Sequence, residues 1–320
     1  MEMEKIPEAG YAIRGIDIAG YNRSSLIKNI GLPLKLIKSF LQVRGIFSSF
    51  KPQAVIGVGG YSTFPVLRLA QSRGIPTFIH ESNSFAGKSN KLLGKKATRI
   101  FTASDGMEKF FPADRLVHTG NPVRKNVVAN RISRDEGIHF FGLDPRYTTV
   151  LITGGSLGAR SMNEAIDLGI RLLLENQIQL IWQTGKSFAA EAAAQAAKSP
   201  LIWTGEFISK MEYAYAAADI VVSRSGSVLY ELCAVRKPVI FIPYPHAAED
   251  HQTVNAMNLV AKNAAIMIAD KEARQKLVGE ILRLASNKPE QQELSENIGK
   301  MAITDADEKI AEDILNTLNG

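Results

Sequence analysis

Two glycine-rich segments each follow an apolar, β-rich stretch and precede a helix-forming stretch. Residues 150–160 read Val-Leu-Ile-Thr-Gly-Gly-Ser-Leu-Gly-Ala-Arg and lead into Ser161–Glu175. Upstream, residues 54–60 read Ala-Val-Ile-Gly-Val-Gly-Gly and lead into Tyr61–Arg73. Glycine permits positive φ and a close approach of ligand to backbone, and the following helix directs its free N–H groups towards the turn. One such unit alone is an ordinary turn of α/β proteins, but two in one chain predict two Rossmann-like halves that bind a phosphate-containing ligand.

Neither turn carries a standard nucleotide signature. The pattern G-x-G-x-x-G fails at both turns, and G-x-x-x-x-G-K-[ST] occurs nowhere in the chain, which disfavours a dinucleotide oxidoreductase or a P-loop ATPase. The five histidines are scattered, and one cysteine cannot build a zinc centre, so we predict no metal site and no cofactor. That cysteine, Cys233, lies in an apolar helical stretch, which predicts a buried packing role.

Apolar, β-rich segments alternate with helical stretches along the chain, a pattern typical of parallel sheets covered by helices. The turn Gly120–Arg124 is followed by the charged segment Lys125–Gly137, which we interpret as the connection between two domains. The tail after Asp270 is predicted to be helical throughout. The predicted strands are Ala54–Val58, Thr77–Ile79, Arg99–Thr102, Leu116–His118, Thr149–Thr153, Gln179–Trp182, Leu201–Trp203, Asp219–Ser223, Val239–Ile242 and Ala265–Ile268.

Charge is distributed unevenly along the chain. Residues 1–125 contain 19 Lys and Arg against 8 Asp and Glu, a net charge of +11, whereas residues 126–320 carry −5. This asymmetry favours an anionic partner for the first half, either nucleic acid or an anionic membrane surface; the alternative is that these side chains only solvate helix faces. The shortage of an exposed aromatic pattern in this half disfavours nucleic acid. The chain has no apolar run long enough to span a bilayer, and its start lacks the apolar core of a signal peptide, so we expect no export.

Several charged and amide side chains follow predicted strands, where ligands of α/β proteins bind. Arg124 could donate bidentate hydrogen bonds to phosphate or ribose oxygens, or it could form a surface ion pair. Glu231 could accept hydrogen bonds from both hydroxyls of a ribose, or its negative charge could simply interact favourably with the positive end of its helix dipole. Further candidates are His80-Glu-Ser-Asn83 and the amides of Gln252 and Asn255, which could read sugar hydroxyls.

Taken in order, these segments resemble the MurG family of peptidoglycan N-acetylglucosaminyltransferases over nearly the whole chain. The resemblance implies a GT-B fold, with two Rossmann-like domains whose parallel sheets face an interdomain cleft. It implies domains at 1–124 and 125–300 and a helix at 301–320 that packs back on the first domain. The matching segments are Gly57-Val-Gly-Gly-Tyr61, His80-Glu-Ser-Asn83 with Ala86-Gly87 and Asn90, Gly120-Asn-Pro-Val-Arg124, Gly154-Gly-Ser-Leu-Gly-Ala-Arg160, Phe207-Ile208 with Met211, Ser223-Arg-Ser-Gly226 with Glu231, and Glu249-Asp-His-Gln252 with Asn255.

The resemblance also implies a reaction, which is metal-free and inverting. N-acetylglucosamine would pass from UDP-N-acetylglucosamine to lipid I, giving lipid II, while helix N-termini stabilise the departing UDP. The implied contacts are Ile208 to the uracil through its backbone, Glu231 to the ribose, Gly155, Ser156, Gly158, Ser225, Gly226 and Ser227 to the pyrophosphate, Arg124 to a donor oxygen, Gln252 and Asn83 to the sugar, and Gly59, Gly60 and Tyr61 to the acceptor.

The implied location is peripheral, on the cytoplasmic face of the inner membrane, where the basic first half would face anionic lipid. Other cell-wall synthesis proteins are further candidate partners, and nucleic acid is not. Apolar contact with the membrane would come from a set of residues that could equally belong to the core: Leu26, Ile27, Ile30, Leu34, Ile37 and Phe40.

Two features depart from the family pattern. The family begins with a strand and a Gly-Gly-Thr-Gly-Gly-His loop whose histidine is the general base, whereas residues 1–5 match it partway through its first domain. We therefore expect that about 40 residues, the order of one βα unit, are absent, that no catalytic base is present, and that transfer is slow or lost. The alternative function is then a non-catalytic UDP-sugar-binding protein. In addition, four residues separate Gly226 from Glu231 where the family has five, a difference that could rotate Glu231 by about 100°.

Overall fold

The computed structural model describes residues 2–8, 10–20, 30–129, 131–155 and 157–320. The chain divides into two compact units, one formed by Met1–Thr119 with Lys309–Gly320 and the other by Gly120–Glu308. Each unit is built on a parallel sheet covered by helices, which confirms the predicted α/β class. The turn at residues 120–124 belongs to the second unit.

The first unit contains, among its described residues, a four-stranded sheet whose strands pair in chain order. Its strands are β1 (Val55–Gly57), β2 (Thr77–Glu81), β3 (Arg99–Thr102) and β4 (Leu116–His118), and its helices are α1 (Glu2–Glu8), α2 (Leu32–Phe50), α3 (Thr63–Ser72) and α4 (Lys88–Gly94). Alternate residues of β2 and β3 face opposite sides of this sheet. Ile79 and Ile100 pack with α3, while Phe78 and Phe101 stack at 6.2 Å and contact Ile314 of the C-terminal helix α14 (Ala306–Asn319).

Helix α2 buries a narrow stripe that includes Val43 and Phe47. Its other face is apolar and exposed, with Leu34, Ile37 and Leu41 exposed by 74%, 59% and 64%. The predicted apolar residues Leu26 and Ile27 lie outside the described residues. Among the helices that the structure describes, none combines the length and the apolar character needed to cross a membrane.

The second unit contains a six-stranded parallel sheet in the described part of the chain. Its strands are β5 (Thr148–Thr153), β6 (Ile178–Gln183), β7 (Ile202–Gly205), β8 (Ile220–Ser223), β9 (Val239–Phe241) and β10 (Ile266–Met267). Its helices are α5 (Lys125–Val128), α6 (Arg134–Phe140), α7 (Arg160–Glu175), α8 (Ala189–Ala196), α9 (Met211–Ala217), α10 (Val228–Val235), α11 (His251–Val260), α12 (Ala273–Ser286) and α13 (Lys288–Gly299). Each predicted strand is therefore present, with ends shifted by at most two residues.

The strand order of this sheet is β10-β9-β8-β5-β6-β7, so the winding direction reverses between β5 and β8. At that switch point the strand ends Thr153 and Ser223 are paired. Strand β5 continues into the glycine turn at 154–158 and β8 into the glycine-containing turn at 224–227, and these lead to the N-termini of α7 and α10. A reversal of this kind leaves a crevice at the carboxyl ends of the strands, where α/β sheets bind ligands.

Two sequence interpretations are wrong in detail. The segment 125–137 is not a simple connection, because it contains α5 and the first turns of α6 and buries Val127 in the core of the second unit. Strand β2 continues beyond Ile79 to Glu81, so His80 and Glu81 are buried strand residues rather than loop residues. Cys233, by contrast, is buried in the core as predicted.

Candidate functional site

A cavity of about 790 Å³ lies at the switch point of the second sheet. It is lined by the turns after β5 and β8, the segment after β7, and the loop after β9. Of the predicted site residues, those that line it are Arg124, Gly155, Gly158, Ile208, Gly226, Ser227, Glu231 and Gln252. Tertiary folding thus brings together residues that span more than 120 positions of the sequence.

The turn after β5 is held in a conformation that requires glycine. Gly155 and Gly158 have φ of +81° and +77°, which side chains rarely adopt. A Cβ on Gly158 would also lie 2.0 Å from the carbonyl oxygen of Thr184. Ser156, predicted to contact pyrophosphate, lies outside the described residues. The turn leads directly into α7, whose first residues Arg160 and Ser161 line the cavity.

The turn after β8 presents backbone rather than the Ser225 side chain to the cavity. Ser225 is fully buried, and its hydroxyl donates a hydrogen bond to the carbonyl oxygen of Gln252 at 2.8 Å. Asn255, predicted as a sugar reader, is also buried and donates to the carbonyl oxygen of Ser225 at 3.1 Å, so it fastens the turn instead. Gln252 accepts from the Tyr244 N–H at 2.9 Å, and its Nε2 lies beside Gly226. Its amide donors therefore face the cavity-lining turn.

Glu231 lines the cavity despite its shorter spacing from Gly226. Arg124 forms a bidentate ion pair with it, from Nε to Oε1 and from Nη2 to Oε2, both at 2.7 Å. The hydroxyl of the buried Tyr215 donates to Oε2 at 2.9 Å. The hydrogen bonds to Glu231 and the negative charge of its carboxylate raise the pKa of Arg124. Burial, reinforced by the same negative charge, raises the pKa of Tyr215 well above its usual range. Both groups therefore stay protonated donors to the carboxylate.

Gln183, at the end of β6, is a site residue that the sequence analysis missed. It lines the cavity but is only 2% exposed. Its Nε2 donates to the Thr153 hydroxyl at 3.2 Å and to the Gly155 carbonyl at 2.9 Å, and its Oε1 accepts from the Ile208 N–H at 3.0 Å. Gln183 thus ties the glycine turn to the segment of Ile208. The N–H of Ile208 is therefore already engaged within the protein.

A second cluster that was missed joins the β8 turn to the loops after β9 and β10. Arg224 donates to Asp270 at 2.5 Å and to the carbonyl oxygens of Ile242 and Pro243 at 2.9 and 3.0 Å. The Ser161 hydroxyl donates to the same carboxylate. An arginine in a strand-to-helix turn does not by itself predict a structural role, because the residues that bind it are distant in sequence. Its role in the structure is to fix the walls of the cavity.

The remaining predicted residues lie in the first unit. Asn83 donates from Nδ2 to Oε1 of the buried Glu81 at 3.2 Å. That carboxylate also accepts from the Gly87 N–H at 3.1 Å and from Asn90 Nδ2 at 2.9 Å, so it organises the loop after β2. Gly59 and Gly60 have φ of +96° and +83°, and the Tyr61 ring beside them is exposed. None of the described residues form a cluster of three or more His, Cys, Asp or Glu that could hold a metal ion.

Comparison with known proteins places these features in a family. The glycosyltransferase family 28 N-terminal domain matches residues 1–102, and the glycosyltransferase family 28 C-terminal domain matches residues 149–310. The UDP-N-acetylglucosamine–N-acetylmuramyl-(pentapeptide) pyrophosphoryl-undecaprenol N-acetylglucosamine transferase of Phocaeicola vulgatus is 47% identical over 318 residues. That alignment covers 98% of this chain and 85% of the relative. The chain belongs to this family, the MurG transferases.

Other MurG-family members agree with this assignment. The enzyme of the same name from Bacteroides fragilis is 47% identical over 98% of this chain and 84% of its own length. The crystal structure of Acinetobacter baumannii MurG superposes with a TM-score of 0.76 at 27% identity, covering 99% of this chain and 88% of that one. The two-domain GT-B glycosyltransferase fold expected from the sequence is thereby confirmed, and the chain is a glycosyltransferase.

Proposed function

We propose that this chain transfers N-acetylglucosamine from UDP-N-acetylglucosamine to lipid I, yielding lipid II for peptidoglycan. The observation that carries the proposal is one cavity in a MurG-family chain where two glycine turns, two helix N-termini and the Glu231 carboxylate meet. Backbone N–H groups and the positive ends of α7 and α10 suit a pyrophosphate. A carboxylate beside them suits a ribose diol, because it can accept from both hydroxyls.

We assign the donor contacts to groups that line the cavity. Gly155, Gly158, Gly226 and Ser227 hold the pyrophosphate, and the carbonyl of Ile208 accepts from the uracil N–H. Gln252 directs amide donors at the sugar, and Arg124 supplies positive charge to a donor oxygen. In the first unit, Gly59, Gly60, Tyr61 and Asn83 remain proposed contacts to the acceptor or the sugar.

The chemistry is a displacement at C1 of the donor sugar. The 4-hydroxyl of the acceptor attacks C1 and its proton passes to solvent water, the bond from C1 to the UDP oxygen breaks, and the configuration inverts. Negative charge accumulates on the departing pyrophosphate. Because the helix N-termini already point at that position, they stabilise the charge without reorganisation in the transition state.

Donor binding tests this proposal directly. Replacing Glu231 with Ala removes the ribose acceptor, so the affinity for UDP-N-acetylglucosamine, measured by calorimetry, should fall by about 1–3 kcal/mol, the range for hydrogen bonds to a charged group. Glu175→Ala is the matched control, because this exposed glutamate ends α7 and does not line the cavity. Unchanged affinity in the Glu231 variant, or an equal loss in the control, would refute the assigned site.

We further propose a peripheral association with an anionic membrane surface through the first unit. Support comes from the net charge of +11 in residues 1–125, of which residues 1–119 of the first unit carry +9, and from the exposed apolar face of α2. The fraction of protein that sediments with vesicles containing phosphatidylglycerol should fall steeply as the salt concentration rises, because a shorter Debye length weakens the attraction between protein and lipid charges. Leu34→Asp should weaken binding, whereas Leu168→Asp, equally exposed on α7 of the second unit, should not. Vesicle binding that does not change with salt concentration or with lipid charge would contradict this electrostatic association.

A further inference from the structure

Glu231 has two protein partners that differ in how firmly they are held. Arg124 precedes the short helix α5, and its side chain is 46% exposed. Tyr215 projects from α9, is 0% exposed and belongs to the hydrophobic core of the second unit. The tyrosine is therefore a fixed support of the carboxylate, and the arginine is a partner that can move.

The acceptor positions of the carboxylate limit which partner can stay when a ribose binds. A carboxylate offers about four lone-pair positions. In the structure Arg124 occupies one on Oε1 and one on Oε2, and Tyr215 occupies one on Oε2. A ribose diol needs two positions, so it requires Arg124 to release at least one of its own. Tyr215 needs only one and can remain in place.

The hydroxyl of Tyr215 also has a physical reason to keep this bond. A buried phenol without a partner loses the free energy of its hydration, and Glu231 is the partner that the structure provides. Burial and the nearby carboxylate raise the pKa of Tyr215 well above 10, so the group is a donor throughout the working pH range. A hydrogen bond to a charged acceptor is stronger than a neutral one, which limits the rotation of the Glu231 side chain.

We propose that Tyr215 is a positioning residue that aims Glu231 at the ribose, while Arg124 exchanges with the ribose hydroxyls. The site thereby selects a ribonucleoside diphosphate over its 2′-deoxy analogue. This inference rests on the proposed donor site. It adds Tyr215 as a specificity determinant that acts through Glu231 and does not contact the ligand. The orientation of Glu231 is set from within the core, and its exposed side stays available to exchange partners.

The test compares UDP with 2′-deoxyuridine 5′-diphosphate by calorimetry on the full chain. Tyr215→Phe removes only the hydroxyl, so the affinity for UDP should fall about tenfold, in the range expected for one hydrogen bond, while the affinity for the deoxy analogue, which presents only its 3′-hydroxyl to Glu231, should fall by a smaller factor. The preference for ribose should shrink accordingly. Tyr213→Phe is the matched control: the same change on the same helix, where the ring stacks on Phe140 at 4.4 Å. It should leave both affinities unchanged.

The outcomes separate this inference from the proposed function. Equal losses for UDP and its deoxy analogue in Tyr215→Phe would indicate a purely structural role and overturn the inference, as would no loss at all. Glu231→Gln provides the reference, because it should reduce the ribose preference whatever Tyr215 does. If the parent protein fails to bind UDP, or if Glu231→Gln keeps the full preference, the proposed donor site itself is wrong. If Glu231→Gln reduces the preference and Tyr215→Phe does not, only the role of Tyr215 falls.

Discussion

Gly158 and Gly155 lie in the same turn but differ in what a side chain would meet. Both have positive φ, so alanine at either position costs about 1–2 kcal/mol from the backbone alone. A Cβ at Gly155 has nothing within 4 Å, whereas a Cβ at Gly158 would lie 2.0 Å from the carbonyl oxygen of Thr184. Gly155→Ala is therefore a matched control for the steric effect of Gly158→Ala.

The carbonyl of Thr184 cannot retreat at low cost. It accepts a hydrogen bond from Asn163 Nδ2 at 2.8 Å, and Asn163 Oδ1 accepts from Trp182 Nε1 at 3.0 Å, all among buried residues. Overpacking of this kind costs about 1–3 kcal/mol, and disturbing the buried hydrogen bond costs about 1 kcal/mol more. Gly158→Ala should thus destabilise the second unit by about 3–6 kcal/mol in total, against about 1–2 kcal/mol for Gly155→Ala.

Urea unfolding followed by tryptophan fluorescence measures this difference. Both tryptophans of the chain, Trp182 and Trp203, lie in the second unit, so the signal reports that unit alone. The unfolding midpoint should fall much further in Gly158→Ala than in Gly155→Ala, with similar slopes. Equal midpoints for the two variants would refute the steric argument and leave only the backbone cost.

Two further predictions concern titratable groups. Burial raises the pKa of the Cys233 thiol to about 12, so we expect native protein to resist iodoacetamide at pH 8 and to react rapidly once unfolded in urea; mass spectrometry showing rapid labelling of the native protein would contradict this. Hydrogen bonds from Arg146 lower the pKa of Asp144 from 3.8 to about 2, so the contribution of the Asp144 carboxylate to stability is present above pH 3.8 and is lost as pH falls towards 2. Asp144→Asn should therefore be less stable than the parent at pH 7 and equal to it near pH 2, as measured by urea unfolding; a difference that does not change with pH would show that charge is not its cause.

The elements of the fold could be predicted because their signals are local. Short apolar, β-rich segments between helical stretches indicate the strands. Glycines that permit positive φ, such as Gly155 and Gly158, indicate the turn that follows β5. Errors arose where local composition misleads. Glu81 is polar yet ends a buried strand, because hydrogen bonds from the loop that follows and from Asn90 of α4 satisfy its carboxylate.

The roles of single side chains depended on partners that the sequence does not place together. Arg124 and Glu231 were both expected at the site, but their pairing across 107 positions was not, nor was the support from Tyr215. Gln183 gave no signal, because an amide at the end of a strand is common in sequences. Its role becomes visible only when the folded chain brings the end of β5 with its turn, and the segment after β7, into hydrogen-bonding distance of it.

The sequence by itself determined which segments become strands, helices and glycine turns, since these follow from side-chain periodicity and backbone freedom. Only the tertiary structure decided that β8 pairs with β5, an order that depends on long-range packing of helices against both faces of the sheet. That pairing sets two glycine turns side by side and brings Glu231 between a half-exposed arginine and a buried tyrosine. Strand order and hydrogen-bond partners are properties of the folded chain because they join residues that are neighbours only in space.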